Sequence, residues 1–428
     1  MKLQKNPLKN TVGFIALLIC TLVFIPVQAS GILMYEMGTP GVGLGSAGYA
    51  AGASDASTVY YNPAGMMRLG KSEYLIGAQA LSASMKFQPA AGLAAAGSGG
   101  EYPLGWLPGG SYFYVGSTSS NTKVGFGVFS NFGAVANYQK DSAERYALME
   151  GALVGITFMP AIAHRFNDQW SVGAALNATN GILRQKSALS NGERGTDGTM
   201  EMNDNKWGFG GNLGFLYEPN KQTRIGLTYN SAVNLNFSTT PSYSNLGTGL
   251  EDLLRRSGLL DRSIDQSVKI PQQVMLGFSR DLDSRWTLLG DVGWQNWANF
   301  AYKEVTVNPS RLLISDPTTV TRELKGQDTW HAALGAKYKA SPKWTLTFGV
   351  GYDTSAFDDA NRPALMPIGA SWRVGVGAST AINPTSTLNF GYEALFTGDL
   401  QLQQQGVPSG SYAQGVMHFF TVNYQRKF

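Results

Sequence analysis

The stretch Lys343-Trp-Thr-Leu-Thr-Phe-Gly-Val-Gly-Tyr-Asp353 decides the fold, because a large apolar side chain occupies every second position. The residues between them are small or polar. A period of two places these two sets on opposite faces of a β-strand. The stretch therefore predicts a strand with one apolar face, formed by Trp344, Leu346, Phe348, Val350 and Tyr352.

The same alternation recurs along the chain after residue 72. We expect fourteen such segments, beginning near Glu73, Ser111, Lys123, Gly151, Trp170, Met200, Gln222, Val268, Ser284, Thr318, Lys343, Gly369, Thr385 and Tyr412. Short, turn-like connections alternate with longer ones. The short ones cover residues 118–122, 167–169, 218–222, 281–284, 339–343 and 381–385.

An even strand number with short turns at one end and long loops at the other is typical of bacterial outer-membrane barrels. The predicted fold is therefore all-β: a transmembrane antiparallel β-barrel of about fourteen strands over residues 72–428. The first strand of the barrel then begins, and the last strand ends, on the side of the short turns. A soluble β-sandwich or propeller is the alternative, and it does not explain the alternating loops.

The amino-acid composition is consistent with barrel strands that face lipid. Charged residues make up 14% of the chain, against about 25% in typical soluble proteins. After the N-terminal segment no apolar run approaches the length of a membrane-spanning helix, so membrane residence has to come from strands. The C-terminal segment alternates and ends on the aromatic Phe428, which resembles the signal read by the outer-membrane assembly machinery.

Residues 1–29 read as an export signal. Lys2, Lys5 and Lys9 give a positive start, residues 11–26 are apolar, and small residues precede a cleavage point after Ala29. Cys20 raises the alternative of a lipoprotein, although a bulky isoleucine precedes it. Cleavage leaves a nearly neutral mature chain, which gives no reason to expect a nucleic-acid partner.

Residues 30–71 differ from the rest of the chain. They are rich in Gly and Ala, lack the alternation, and end in the motif Asn62-Pro63-Ala64. A barrel of fourteen strands is wide enough to hold a plug. We therefore expect this segment to be an N-terminal hatch that plugs the lumen.

Several short motifs occur in a characteristic order. They are Gly45-Ser-Ala-Gly48, Asp55-Ala-Ser57, Asn62-Pro63-Ala64, Asn131-Phe132-Gly133, Ile270-Pro271-Gln272 and Asn361-Arg362-Pro363. With these motifs the chain resembles, from about Gly31 to Phe428, the FadL-type family of outer-membrane transporters of long-chain fatty acids and aromatic hydrocarbons.

The resemblance implies passive outer-membrane transport of a hydrophobic small molecule, with no enzyme activity and no cofactor. It assigns Asn62, Pro63, Ala64 and Asp55 to the hatch. It places a kink of the third strand, and a lateral exit, at Asn131, Phe132 and Gly133. The expected partners are a fatty acid or hydrocarbon, outer-membrane lipid and the barrel assembly machinery. A monomer is expected.

Two apolar segments of the outer loops are candidates for ligand capture. Residues 245–266 have the spacing of a short amphipathic helix, and residues 89–110 form a second apolar loop. The candidate capture residues are Leu250, Leu253, Leu254, Trp106 and Leu107. Alternatively, the helix packs onto the barrel mouth and only stabilises it. A fatty acid also favours a cation, and the candidates, none assigned, are Arg184, Lys186, Arg322, Lys325 and Arg373.

Other functions receive less support. Gly43, Gly45 and Gly48 match the glycine spacing of a dinucleotide site, but no strand precedes them. The three histidines are far apart and indicate neither a hydrolase nor a metal site. The main alternatives are a non-specific porin, which lacks such a hatch, and a barrel that serves as an adhesin or phage receptor through its loops.

Overall fold

The computed structural model describes residues 33–90, 105–192, 196–307, 319–403 and 409–428. The predicted signal peptide, residues 1–29, lies outside them. The described strands are β1 Glu73–Pro89, β2 Trp106–Ser117, β3 Thr122–Asn137, β4 Glu150–Arg165, β5 Trp170–Leu189, β6 Gly198–Asn220, β7 Thr223–Asn230, β8 Val233–Thr239, β9 Ser242–Ser244, β10 Ile264–Ile270, β11 Gln273–Asp281, β12 Trp286–Gln295, β13 Ala301–Val307, β14 Thr319–Lys325, β15 Thr329–Lys339, β16 Trp344–Asp353, β17 Ser371–Asn383, β18 Ser386–Leu402 and β19 Gly410–Lys427.

Fourteen of these strands close into an antiparallel barrel, which confirms the predicted fold class. Each barrel strand pairs with its neighbour along the chain, and β8, β9, β10, β13 and β14 lie in the connections. The first strand pairs with the last from Glu73↔Lys427 onward. Both ends of the wall therefore lie on the short-turn side, as predicted.

Two predicted strand starts and one loop are wrong. The segment near Thr318 is β14, which pairs with β13 outside the wall, and the barrel strand begins at Thr329. The segment near Val268 is β10, which pairs with β8. Alternation identifies a strand but does not distinguish a loop hairpin from the wall. The sequence predicts an outer loop at Trp106 and Leu107, whereas in the structure these residues begin β2.

The outward face of the wall is apolar. Trp344, Phe348 and Val350 of β16 are each more than two-fifths exposed, whereas Thr347 on the other face is buried. Exposed tryptophans lie near both ends of the strands: Trp170, Trp286 and Trp344 beside short turns, and Trp106, Trp330 and Trp372 beside long connections. Two aromatic belts around an apolar band are characteristic of an outer-membrane barrel. Among the described residues, no helix has the length and apolarity to span a membrane.

The described N-terminal residues, 33–71, fill the lumen on the short-turn side, and we call them the hatch. They contain the helices Thr39–Gly43 and Thr58–Tyr61 and the 3-10 helix Pro63–Arg68. Wall glycines make room for the hatch backbone, because a Cβ at Gly349 or Gly226 would collide with the carbonyl of Leu44 or Ala50. These glycines lie on β16 and β7, which are separated in the wall by β15, β12 and β11.

Candidate functional site

The Asn62-Pro63-Ala64 motif attaches the hatch to the wall. The Asn62 side chain donates to the carbonyl of Ala50, at 2.7 Å, and to the carbonyl of Phe215 on β6, at 3.0 Å. Its oxygen accepts from Ala64 N at 3.1 Å. Gly214 and Gly173 on the wall leave space for Asn62 and Pro63, since a Cβ at either glycine would collide with the motif. The amide nitrogen of Asn62 thus links the hatch to β6, and the amide oxygen fixes the motif within the hatch.

Asp55 has a different place. It is buried, and its carboxylate accepts from the backbone and the hydroxyl of Ser57, at 2.9 Å and 2.5 Å. These bonds shape the turn that leads into the helix Thr58–Tyr61. Asp55 therefore stabilises the hatch from within.

A wall carboxylate holds the centre of the hatch. Asp291 on β12 accepts from three consecutive backbone amides, those of Gly48, Tyr49 and Ala50, the last two at 3.0 Å each. Positive φ angles at Gly45, Ser46 and Gly48 shape the loop that directs these amides to one point. Asp291 lies on the buried, lumen-facing side of β12. Its contact with the hatch was not predicted, since backbone amides leave no sequence signature.

Four tyrosines form the core of the hatch. Tyr35, Tyr49, Tyr60 and Tyr61 are buried and pack edge to face, with ring centroids 5.0–5.9 Å apart. Tyr60 donates to the carbonyl of Met34 at 2.9 Å, and Tyr61 to that of Tyr35 at 2.8 Å. Burial raises the pKa of Tyr60 to about 12, so the hydroxyl stays protonated at neutral pH. The tyrosines thus tie the first described residues to the rest of the hatch.

A buried cluster of charged residues joins the start of the hatch to β15–β18. Arg373 donates to Asp353 at 2.7 Å, to Glu393 at 3.3 Å and to Glu36 of the hatch. His331 lies 2.9 Å from the second oxygen of Asp353. The sequence indicates Arg373 only as a candidate cation and does not indicate its carboxylate partners. The available signal was three charged residues on the lumen-facing positions of neighbouring segments.

The wall is incomplete between β2 and β3. These strands pair from Ser117↔Lys123 only as far as Tyr112↔Val128, whereas β2 stays paired with β1 up to Trp106. Beyond Val128 the rest of β3 bonds only to β4 among the wall strands of the described structure. A lateral gap, bounded by residues 106–111 and 129–137, therefore opens in the wall.

The gap coincides with an irregularity of β3 at the residues where the resemblance implies a kink. The β3–β4 register shifts between Phe129 and Phe132. Phe132 and the next four residues are all buried, so β3 no longer has an exposed face. The hatch reaches this point, because Leu33 forms a bridge with Phe132 and Met34 N donates to Asn131 O at 2.8 Å. Gly133 follows the shift and has ordinary space for a Cβ.

The lumen beyond the hatch is apolar. A continuous cluster of buried side chains combines wall and outer-loop residues, among them Phe87, Phe132, Trp297, Phe357, Met366, Leu400, Tyr412 and Phe419. Between this cluster and the start of the hatch lies a cavity of about 80 Å³, whose lining includes Met34, Glu36 and Arg373. The hatch thus fills the half of the lumen at the short turns, and apolar side chains line the half beyond it.

The predicted capture residues lie in two separate places. The helix Thr248–Arg256 buries Leu250 and Leu254 against Leu189, Met200 and Met202 at the ends of β5 and β6, with Leu253 half-buried beside them. Trp106 is exposed and stacks on Phe420 at 6.0 Å, whereas Leu107 packs against the apolar cluster. The helix therefore packs on the barrel mouth through Leu250 and Leu254, and its part in ligand capture stays a prediction.

The candidate cations for a carboxylate are also dispersed. Arg184 and Lys325 are exposed, Lys186 is half-buried, and the side chain of Arg322 lies outside the described ones. Arg373 borders the internal cavity, but carboxylates of the protein already surround it.

A closed barrel with an apolar outer band and a lumen filled by its own N-terminal segment defines a class, the outer-membrane channels. Residues 20–428 match the family described as outer membrane protein transport protein (OMPP1/FadL/TodX). The chain belongs to this family, as the motifs indicated.

Related proteins and solved structures are consistent with this family assignment. The chain is 23% identical to the long-chain fatty acid transport protein of Escherichia coli K12, covering 94% of this chain and 95% of that one. It is 26% identical to a 47 kDa outer membrane protein of Pasteurella multocida, over 93% and 94%. A Pseudomonas aeruginosa FadL homologue has the same fold, with a TM-score of 0.78 at 18% identity over 93% of this chain and all of that one. The Pseudomonas putida toluene transporter TodX gives 0.66 at 16%, over 90% and 99%.

Membership of this family establishes the general function and the location of the protein. The chain is an outer-membrane protein that transports hydrophobic substrates, and its family consists of transport channels.

Proposed function

We propose that this barrel transports long-chain fatty acids passively, and that it releases them sideways into the outer membrane through the gap between β2 and β3. The observation that supports this proposal is the gap. It adjoins the apolar half of the lumen. The first described residues of the hatch bond to its edge. An apolar molecule that stays on apolar surface avoids a cost of about 25 cal/mol per Å² exposed to water. The outer membrane is therefore the favourable destination.

The proposed route has four steps. Ligand is captured at the outer loops near Leu250, Leu253, Leu254, Trp106 and Leu107, and then binds in the apolar lumen. The hatch then shifts away from Asn131, Phe132 and Gly133, and the ligand leaves through the gap. The protein needs no cofactor, catalyses no reaction and works as a monomer, once the assembly machinery has inserted it through the strand that ends at Phe428.

Uptake of labelled oleate tests the substrate class. The barrel is expressed in cells without hydrophobic transporters of their own, with excess toluene as competitor. We expect oleate entry that toluene barely reduces. Strong suppression by toluene would indicate a hydrocarbon channel instead. Entry equal to that of the empty vector, with the barrel inserted, would contradict transport.

Asn62→Ala tests the part played by the hatch. It removes two donated hydrogen bonds and the one accepted from Ala64, while the wall strands keep their pairing. We expect oleate uptake to fall toward the empty-vector level with normal membrane insertion. The matched control is Asn205→Ala, an exposed asparagine of β6, which keeps full uptake. Unchanged uptake in Asn62→Ala would exclude a hatch mechanism.

A further inference from the structure

An apolar groove of about 400 Å³ crosses the lipid-facing surface of the wall on β11, β12, β15 and β16 and reaches Trp372 of β17. Its floor is formed by the small residues Gly290 and Ala332. Larger apolar side chains, paired with these two residues on the neighbouring strands, form its sides: Phe278, Leu334, Val292 and Tyr352. The groove therefore has the width and the apolar lining to accept an acyl chain.

A single cation follows the groove on its short-turn side. Arg280 comes two positions after Phe278 on β11, is exposed, and points to the lipid by the alternation of the strand. Its neighbours on that face, Leu288 on β12 and Leu282 further along the chain, are apolar. Within the described residues Arg280 has no ion-pair partner. A cation on the lipid-facing side is unfavourable unless its long side chain reaches an anion at the interface.

The ends of β12 and β15 add two cations close to this position. Arg285 precedes Trp286, Lys339 follows Tyr338, and both cations are exposed. Lys339 N donates to Arg285 O at 2.8 Å, which places the two residues side by side. The rings of Trp286 and Tyr338 lie next to them, with centroids 4.6 Å apart. Aromatic rings and cations at the edge of the apolar band are suited to contact with lipid headgroups.

The acidic residues at this end of the wall are already bonded within the protein. Asp281 accepts from the Thr287 hydroxyl at 2.6 Å. Asp283 accepts from two backbone amides of its own turn, at 2.7 and 2.8 Å. Four exposed cations lie in the same strand ends and turns: Arg280, Arg285, Lys339 and Lys343. The surface beside the groove therefore carries a net positive charge.

We propose that the groove and these cations form a binding site for a phospholipid with an anionic headgroup. One acyl chain fills the groove over Gly290 and Ala332. Arg280 donates to the lipid phosphate, because a guanidinium matches two phosphate oxygens at once. Arg285 and Lys339 attract the net negative charge that distinguishes this lipid from a zwitterionic one. The lipid comes from the leaflet on the short-turn side, where the cations lie.

The site lies directly behind the carboxylate that holds the centre of the hatch. Asp291 takes part in the lining of the groove on the outside of β12, while its carboxylate accepts three hatch amides on the inside. In the wall, β4, β5, β6, β7 and β11 separate β12 from the gap on one side, and β1 and β15–β19 on the other. A lipid bound here stabilises the strands that hold the hatch. The inference goes beyond the proposed transport function and does not depend on it.

Binding of two chain-matched lipids to the purified full-length barrel tests the site. Dioleoylphosphatidylglycerol is anionic, dioleoylphosphatidylcholine is zwitterionic, and native mass spectrometry measures the affinity for each. The wild type should bind the anionic lipid about tenfold more tightly. Arg280→Gln should weaken its binding by about tenfold, because a charge-assisted hydrogen bond is lost. The double substitution Arg285→Gln with Lys339→Gln should abolish the preference for the anionic lipid.

Two further variants separate the groove from the charge. Ala332→Trp fills the groove and keeps every cation, so it should weaken the binding of both lipids by the same factor. The matched control is Arg426→Gln, which removes an exposed cation at the short-turn end of β19, beyond β16, β17 and β18. It should leave both affinities as they are in the wild type.

Three results would overturn the site. They are equal affinity of the wild type for the two lipids, unchanged binding of the anionic lipid in Arg280→Gln, and unchanged binding of both lipids in Ala332→Trp. A loss in Arg426→Gln as large as that in Arg280→Gln would also overturn it, because it would show a general effect of charge. Oleate uptake is measured separately, so each of these results leaves the proposed function standing.

Discussion

The hatch meets two sides of the barrel in different ways. On the side of β12 and β15–β18 the wall is complete, and it offers charged side chains: Asp291 accepts three backbone amides, and Arg373 binds Glu36. On the side of β2 and β3 the wall is open beyond Val128, and at this gap the hatch contacts β3 through a bridge at Leu33 and one amide bond from Met34. Nearer the short turns Lys123 of β3 donates to the carbonyl of Leu69, and Tyr60 packs on Phe129. The comparison contrasts charged anchors on the complete side with neutral contacts at the gap, from which we propose that the hatch withdraws.

Asp291→Asn should have the largest effect on this asymmetry. It removes the charge and replaces one of the two acceptor oxygens with an amide donor, which then faces either the N–H groups of Gly48 and Tyr49 or that of Ala50. Hydrogen bonds to charged groups contribute about 1.5–3 kcal/mol each, so the local stability of the hatch should fall by about 3 kcal/mol or more. Hydrogen exchange of the hatch amides measures this loss.

The control is Asp283→Asn, in the exposed turn between β11 and β12, where the carboxylate caps Arg285 and Trp286. It should leave hatch exchange as it is in the wild type. Unaltered protection of the hatch in Asp291→Asn would show that the anchored side does not depend on this carboxylate.

Gly349→Ala should have an intermediate effect. The added methyl collides with the backbone of Leu44, and overpacking of this kind costs about 1–3 kcal/mol. The expected result is a hatch displaced from β16 in a barrel that still inserts. The exchange rates of amides near Leu44 measure it, and rates equal to those of the wild type would contradict the close approach.

Gly133→Ala should have the smallest effect, although both glycines lie in wall strands. A Cβ at Gly133 finds its first neighbour, Leu153 O, at 3.4 Å, which is ordinary contact, and its φ is not positive. The stability change should stay within about 0.5 kcal/mol, with oleate uptake preserved. Loss of uptake would mean that the kink requires glycine itself, not the shift between Phe129 and Phe132.

Much of the fold follows from the sequence because lipid enforces a simple rule. Each wall strand must present apolar side chains on one face, so the alternation from Trp344 to Tyr352 predicts β16. The rule does not distinguish wall strands from hairpins in the loops. For this reason the alternation in β10 and β14 wrongly predicts two wall strands. Trp106 was misassigned because the glycines that follow it in β2 interrupt the alternation.

The site was less predictable, because its contacts connect distant parts of the chain. Asn62 and Asn131 were found through short motifs. Asp291 binds amides some 240 residues away, and the amides carry no side-chain identity. Glu36 and Arg373 meet only after the hatch has entered the lumen, so no local pattern pairs them.

A disulfide between the hatch and the edge of the gap tests the central claim, lateral release, most directly. Leu33→Cys with Phe132→Cys places two thiols on bridged residues, in a chain whose single native cysteine, Cys20, lies in the predicted signal peptide. Leu346→Cys with Ala378→Cys, paired on β16 and β17 away from the gap, is the control. Oleate uptake should be blocked in the oxidised hatch–β3 pair, return on reduction, and stay normal throughout in the control. Equal uptake by the oxidised and reduced forms of the hatch–β3 pair would contradict release through this gap.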